Sequence, residues 1–140
     1  VIFGLLIVVS IASFIYNTAA NSDGTEKTLQ SFYEEHTGQR DQLFEEIAGK
    51  ENKSVTPSAD IVDNELILTY TFKKQLSDKE VEENAKRYEE NFDDLNKSGS
   101  RMIRAISDKT NIPAKRITMN LRYLNKDGSE IWSHVFTISY

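Results

Sequence analysis

Apolar residues separated by alternating steps of four and three run along one stretch in the middle of the chain. This stripe comprises Val81, Ala85, Tyr88, Phe92, Leu95, Gly99, Met102 and Ile106. A mean step of about 3.5 residues predicts a single helix, over residues 77–110, that buries this face. A self-associating coiled coil usually needs more large apolar residues than the stripe contains. The pattern therefore favours a long helix that lies across a sheet.

The start of this helix carries two local signals. Ser77 and Glu80 have the spacing of a capping box, and Leu76 and Val81 have the spacing of a hydrophobic staple. The sequence therefore predicts a helix that begins at Ser77. Further along, Gly99 stands between two serines, which indicates either a bend in the helix or the close approach of a strand.

An earlier amphipathic helix is predicted over residues 25–49, where apolar residues recur at helical spacing between polar ones. Gly49 fits the position just after a helix. Gly38 interrupts the pattern and predicts a weak point or kink. The apolar positions are Leu29, Phe32, Tyr33, His36, Leu43, Phe44 and Ile47.

Two other segments alternate between apolar and polar residues with a period of two, which is typical of strands with one buried face. Residues 59–74 predict a hairpin that turns at Asp63 and Asn64. Residues 116–140 predict a second hairpin that turns at residues 125–128. The length of the chain leaves room for one domain. The order helix, hairpin, helix, hairpin predicts an α+β domain over residues 28–140, with a four-stranded antiparallel sheet and both helices on one face.

The first sixteen residues, VIFGLLIVVSIASFIY, carry no charge. As a helix, residues 1–20 would cover about 30 Å, the thickness of the hydrocarbon core of a bilayer. They predict an N-terminal hydrophobic helix that is either a transmembrane anchor or a cleaved signal segment, and the anchor is favoured. Residues 21–27 then form a linker. The domain is expected outside the cytoplasmic membrane, anchored to it or secreted.

Composition excludes several classes of protein. The net charge of −5 argues against binding to nucleic acid, because such proteins carry excess basic residues that neutralise phosphates. The absence of cysteine excludes disulfides, thiolate nucleophiles and zinc ribbons.

The two histidines are the first candidates for chemistry. His36 lies beside the apolar stripe of the first helix, and His134 lies on the same strand face as Trp132 and Phe136. If that helix packs on the last strand, the two imidazoles and a carboxylate would bind zinc or copper. Because no metal-binding spacing accompanies them, core histidines are the favoured interpretation. No cofactor and no catalytic residue is predicted.

Two surfaces are candidates for binding a partner. The acidic flank of the long helix suits a basic partner, although a solvated helix face explains the same residues. The uncovered face of the sheet is the other candidate, either as ordinary solvent-facing sheet or as a binding platform. The acidic candidates are Glu82, Glu83, Glu89, Glu90, Asp93 and Asp94, and the sheet candidates are Thr69, Thr71, Arg116, Thr118, Asn120 and Arg122.

Three segments carry a family resemblance. They are TLQSFYEEHTGQRDQLF, ELILTYTFKKQLSDKEVEENAKRYEENF and SRMIRAISDKTNIPAKRITMNLRYLNKDGSEIWSHVFTISY, the last with Tyr-Leu-Asn-x-Asp-Gly-x-x-Ile at 123–131. From Thr28 onward the chain resembles the DUF4854 family of small exported proteins of Gram-positive bacteria. The resemblance implies a surface-exposed α+β domain and carries over no catalytic residue. Many members resemble lipoproteins held by an N-terminal cysteine, which this chain lacks.

These observations predict a non-enzymatic binding domain outside the membrane, with a protein or peptide partner. One form of this hypothesis is a membrane-anchored immunity protein that neutralises a secreted toxin. The alternative is a cell-envelope hydrolase or metal-binding protein that uses His36 and His134.

Overall fold

A computed structural model describes residues 28–49 and 52–138. The predicted hydrophobic segment at 1–20 and the linker at 21–27 lie outside these residues. Among the helices that are described, none has both the length and the apolar character needed to cross a membrane.

Helices and strands alternate in pairs along the described chain, and the α+β class is confirmed. The elements are α1 Leu29–Glu35, α2 Thr37–Ala48, β1 Val55–Val62, β2 Glu65–Phe72, α3 Asp78–Glu90, α4 Phe92–Thr110, a short 3₁₀ helix Ala114–Arg116, β3 Thr118–Leu124 and β4 Glu130–Phe136.

The four strands form one sheet in the order β1-β2-β3-β4. Both hairpins are antiparallel, but β2 and β3 are parallel, with Leu68 opposite Leu121. The prediction of a purely antiparallel sheet is therefore wrong. Helices α3 and α4 form a crossover that returns the chain to the end of the sheet where β2 began. The alternation of apolar and polar residues shows which face of a strand is buried. It does not show whether that strand runs parallel or antiparallel to a strand from a distant part of the chain.

Each predicted helical segment is two helices. The first breaks at His36, whose backbone (φ −129°, ψ 60°) leaves the helical region. Gly38, where the sequence predicted the weak point, lies inside α2. The second breaks at Asn91 (φ −103°, ψ 16°), whose side-chain amide donates to the Arg87 carbonyl at 2.8 Å. The Asn91 backbone amide donates to the same carbonyl at 3.1 Å, so the helical hydrogen bond is kept across the break.

The capping box predicted at the start of the long helix is present. Ser77 Oγ accepts from the Glu80 amide, and a Glu80 carboxylate oxygen accepts from the Ser77 amide, both at 3.2 Å. Leu76 and Val81 are partly buried against the core. The predicted capping box is confirmed, and α3 begins at Asp78, directly after its cap.

The first hairpin is longer than predicted and is joined to α1. Strand β1 begins at Val55 and includes Pro57, a residue tolerated on an edge strand. The turn falls at Asp63, in the left-handed region (φ 52°), as predicted. Beyond the turn, Asn64 Oδ1 accepts from the Leu29 amide at 2.9 Å, which connects the hairpin to the start of the first helix.

The core lies on one face of the sheet, and the helices cover it. In β2 and β3 every second residue is buried, and these residues share one cluster with the apolar residues of the helices. At its centre the Tyr88 and Tyr123 rings stack with centroids 4.1 Å apart. The stripe that predicted the long helix packs on the sheet, which agrees with the favoured interpretation. A register shift at Tyr123 and Leu124 places two successive residues of β4, Ile131 and Trp132, in the core.

Gly99 allows α4 to approach the sheet closely, one of the two predicted roles. A Cβ atom at this position would lie 3.1 Å from Phe136 and 3.3 Å from Met119. We expect Gly99→Leu to lower the free energy of unfolding by about 2 kcal/mol, because the packed core has no room for the added side chain. Gly38→Ala is the control, since nothing lies within 4 Å of its added Cβ. Chemical denaturation measures both, and equal effects would contradict this account.

Candidate functional site

The face of the sheet opposite the helices, here called the open face, has no fully buried residue. The strand register places Ser58, Thr69, Arg122 and Ser133 in one row across all four strands. Hydroxyl groups therefore flank a single central arginine. The open face comprises Thr56, Ser58, Asp60, Val62, Glu65, Ile67, Thr69, Thr71, Thr118, Asn120, Arg122, Leu124, Glu130, Ser133 and Val135.

Arg122 is half-buried on β3, between Thr69 of β2 and Ser133 of β4. Within the described part of the chain, no acidic side chain lies within ion-pair distance of its guanidinium group. An arginine fork matches the geometry of a carboxylate and binds it through two parallel hydrogen bonds. Arg122 thus offers a carboxylate-binding group at the middle of the open face.

Of the predicted sheet residues, Thr69, Thr71, Thr118, Asn120 and Arg122 lie together on the open face. The exception is Arg116, which is exposed in the 3₁₀ helix before β3. Its apparent place in the strand alternation was misleading, because β3 begins at Thr118.

The predicted acidic residues are all exposed on α3 and the first turn of α4. Because the helices cover the other side of the sheet, this acidic helix surface and the open face point away from each other. Four basic residues are interspersed with eight acidic ones over residues 78–97. One of the predicted acids has a structural contact, since the Glu89 carboxylate accepts from Trp132 Nε1 at 2.8 Å and ties α3 to β4. The acidic residues are Glu82, Glu83, Glu89, Glu90, Asp93 and Asp94.

The two histidines do not meet. His36 lies between α1 and α2, which pack beside β1; its ring stacks on Phe32, and its Nδ1 lies 2.8 Å from the Phe32 carbonyl oxygen. His134 lies on β4, at the opposite edge of the sheet, and its ring contacts Phe92 and Phe136. Three strand spacings, about 14 Å, separate these edges. In residues 28–49 and 52–138, no three acidic or histidine side chains are grouped to hold a metal ion.

A cleft that sequence reasoning missed opens at the carboxyl end of β2. Its volume is about 430 Å³, and we call it the lysine cleft. Lysines, two apolar side chains and two small polar side chains line it. The only sequence signal was the pair of lysines directly after the strand. The lining residues are Lys53, Ser54, Phe72, Lys73, Lys74, Leu76 and Asn84.

One wall of the lysine cleft is held by a buried asparagine at the second hairpin turn. Asn125 Oδ1 accepts from the Leu76 amide at 2.8 Å, and Asn125 Nδ2 donates to the Leu76 carbonyl at 3.1 Å. Beside this pair, Gln75 and Asp127 share two further hydrogen bonds. Hydrogen bonds from Ser129 lower the pKa of Asp127, which stays ionised. The turn therefore fixes the loop that leads into α3.

The structure thus presents a polar open face, an acidic helix surface and a lysine cleft. Neither the curated proteins nor the solved structures include a significant match to this chain. The model of one protein family, described as a domain of unknown function, matches residues 29–136, from the start of α1 to the end of β4. The match spans the whole described sheet and its helices, and the chain belongs to the DUF4854 family.

Proposed function

We propose that this chain is a non-enzymatic binding domain on the outer side of the membrane of a Gram-positive bacterium. In this proposal residues 1–20 tether it to the membrane, or are cleaved so that it is secreted. The uncharged run at 1–16 and the family resemblance to exported proteins support this location. A protein or peptide partner is recognised by the open face. A secreted toxin neutralised at the membrane is one partner of this kind.

The observation that carries the proposal is the position of Arg122. A half-buried arginine without an acidic partner in the described chain lies at the centre of a hydroxyl-rich sheet face. We propose that the partner supplies a carboxylate to Arg122 and hydrogen-bonding groups to Thr69 and Ser133. The open face is preferred over the acidic helix surface for two reasons. Basic residues are interspersed among the acidic residues of the helix surface, and the Glu89 carboxylate already accepts a hydrogen bond from Trp132.

Charge reversal at one residue tests this surface. We expect Arg122→Glu to weaken binding of the partner by about tenfold or more, because a like charge then faces the partner's carboxylate. Arg101→Glu is the matched control: Arg101 is exposed on α4, on the other side of the sheet, and undergoes the same change of charge. The full chain is used to capture partners from its native cell envelope, and affinities are then measured with the purified partner.

The outcomes separate clearly. A partner retained by the wild type and by Arg101→Glu but lost by Arg122→Glu supports the proposal. Equal binding by both variants contradicts the role of the open face. Failure of the wild type to capture any partner contradicts the binding function itself.

The location is tested separately by a tag at the carboxyl terminus of the full chain. Removal of the tag by protease added to intact cells, or its release into the medium, supports the proposed location. A tag protected in intact cells and digested only after lysis contradicts it.

A further inference from the structure

The lysine cleft is separate from the open face and has the features of a small-molecule site. We propose that it binds a small organic anion: a monocarboxylate with an aromatic or short aliphatic body. The cleft lies on the side of the sheet that the helices cover, since Phe72 belongs to the buried face of β2 and both Leu76 and Asn84 lie at or in α3. It opens at the carboxyl end of β2, which pairs in parallel with β3. Crevices at the carboxyl ends of parallel strands are common binding sites.

The charge of the lining points to an anion. Lys53, Lys73 and Lys74 are among the residues that line this cleft, in a chain whose net charge is −5. Lys74 Nζ lies 3.8 Å from the nearest Glu80 carboxylate oxygen, and the two side chains are 77% and 42% exposed, so this solvent-accessible ion pair is weak. A ligand carboxylate is therefore able to compete for Lys74.

The residues around the lysine cleft favour a ligand with one negative charge over a ligand with two. Phosphates are typically held by arginine forks or by free amides at a helix N-terminus. No arginine lines this cleft, and Ser77 and Glu80 bond each other's backbone amides at the start of α3. The Glu80 carboxylate beside Lys74 also repels a doubly charged group. A monocarboxylate is the anion that fits these conditions.

The floor of the cleft accepts an apolar body. Phe72 is 8% exposed, and Leu76 is half-buried. The volume of about 430 Å³ lies in the range of small-ligand pockets, which are mostly apolar with a few placed polar groups. An aryl ring or short alkyl chain therefore covers Phe72 and Leu76 while its carboxylate meets the lysines at the rim.

The cleft is also preorganised. The Lys73 amide donates to the Ser54 carbonyl at 2.9 Å, which holds two of the lysine-bearing segments together. On the opposite wall, the two hydrogen bonds between Asn125 and Leu76 fix the loop before α3. A ligand therefore meets groups whose positions are already set, which lowers the entropic cost of binding.

Titration of the full chain with phenylacetate, followed by amide chemical shifts, tests the proposal. We expect saturable shifts at Phe72, Leu76 and Asn84 at concentrations below about 10 mM, the range of a weak fragment-like ligand. The uncharged analogue phenylacetamide and inorganic phosphate should produce no saturable shifts there. No saturation with phenylacetate, or equal binding of either comparison compound, overturns the assignment.

A double variant tests the role of the lysines. We expect Lys53→Gln with Lys74→Gln to weaken phenylacetate binding about fivefold, as two exposed ion pairs are lost. Lys86→Gln with Lys97→Gln is the control, because these exposed lysines lie outside the cleft and the change in net charge is the same. Both variants change only exposed side chains, so both are expected to fold. Equal affinity in the two variants overturns the proposal.

Discussion

Above pH 10 the protein will unfold cooperatively, and four of its tyrosines will ionise only as it unfolds. Tyr33, Tyr70, Tyr88 and Tyr123 are all buried, and burial raises the pKa of each phenol well above its ordinary value of about 10. In the unfolded chain these groups lose their protons near pH 10, whereas in the folded chain they keep them. Above that pH the unfolded state therefore binds fewer protons, and stability falls as pH rises.

The expected effect is large. Each such group lowers the free energy of unfolding by about 1.4 kcal/mol per pH unit above its unfolded pKa, so four together contribute about 5 kcal/mol per unit. Tyrosinate absorbance and circular dichroism, followed through the same titration, should change together. Ionisation of these four residues near pH 10 with the dichroism unchanged would contradict the prediction.

Tyr88→Phe provides the matched variant. The Tyr88 hydroxyl is buried and has no hydrogen-bond partner among the described residues. Its removal should leave stability at neutral pH equal or slightly higher, because an unpaired polar group is lost from the core. The variant should also release one proton fewer when it unfolds at alkaline pH, so its stability should fall less steeply with pH. A marked loss of stability at neutral pH would mean that this hydroxyl has a partner.

Asn125→Ala should lower the free energy of unfolding by about 4 kcal/mol. Its side chain bonds the Leu76 amide, the Leu76 carbonyl and the Lys126 amide. Removal of a side chain that satisfies partly buried backbone groups costs about 1–3 kcal/mol for each group left without a partner. Asn125 has no positive φ angle, so the loss arises from the side chain rather than from backbone strain.

Two further variants isolate the cause. Asn125→Asp keeps an oxygen for the two amides but loses the donor to the Leu76 carbonyl, so its stability should be intermediate. Asn120→Ala, the same truncation on the open face, removes no hydrogen bond within the described chain and should change stability by less than about 0.5 kcal/mol. Denaturant unfolding measures all three, and equal losses at Asn120 and Asn125 would contradict the proposed role of the turn.

Features encoded by neighbouring residues could be predicted from the sequence. The capping box at Ser77 and Glu80 depends on four consecutive residues, and the turn at Asp63 depends on two. The open face also followed from local alternation, which placed Thr69 and Arg122 on the polar side of their strands. Each of these patterns involves residues that are close together in the sequence. The structure has the capping box, the turn, and Thr69 and Arg122 of the open face where the sequence predicted them.

Features that depend on distant segments could not be predicted in the same way. The parallel pairing of β2 with β3 depends on where the crossover helices return the chain. The lysine cleft joins Lys53 with Lys74 and Asn84, which only the folded sheet brings together. Asn125 was assigned to a turn, but its partner Leu76 lies 49 residues away. The break at Asn91 coincides with a side-chain hydrogen bond to the Arg87 carbonyl, inside a stripe that predicted one continuous helix.

Pro57 on the outer strand β1 also limits how copies of this protein associate. An exposed strand edge normally offers a row of amide donors that recruits a strand from another molecule, the first step of many aggregation processes. A proline within that row removes one donor and interrupts intermolecular pairing. Growth of ordered aggregates through β1 is therefore disfavoured, which protects the protein wherever it reaches high local concentration.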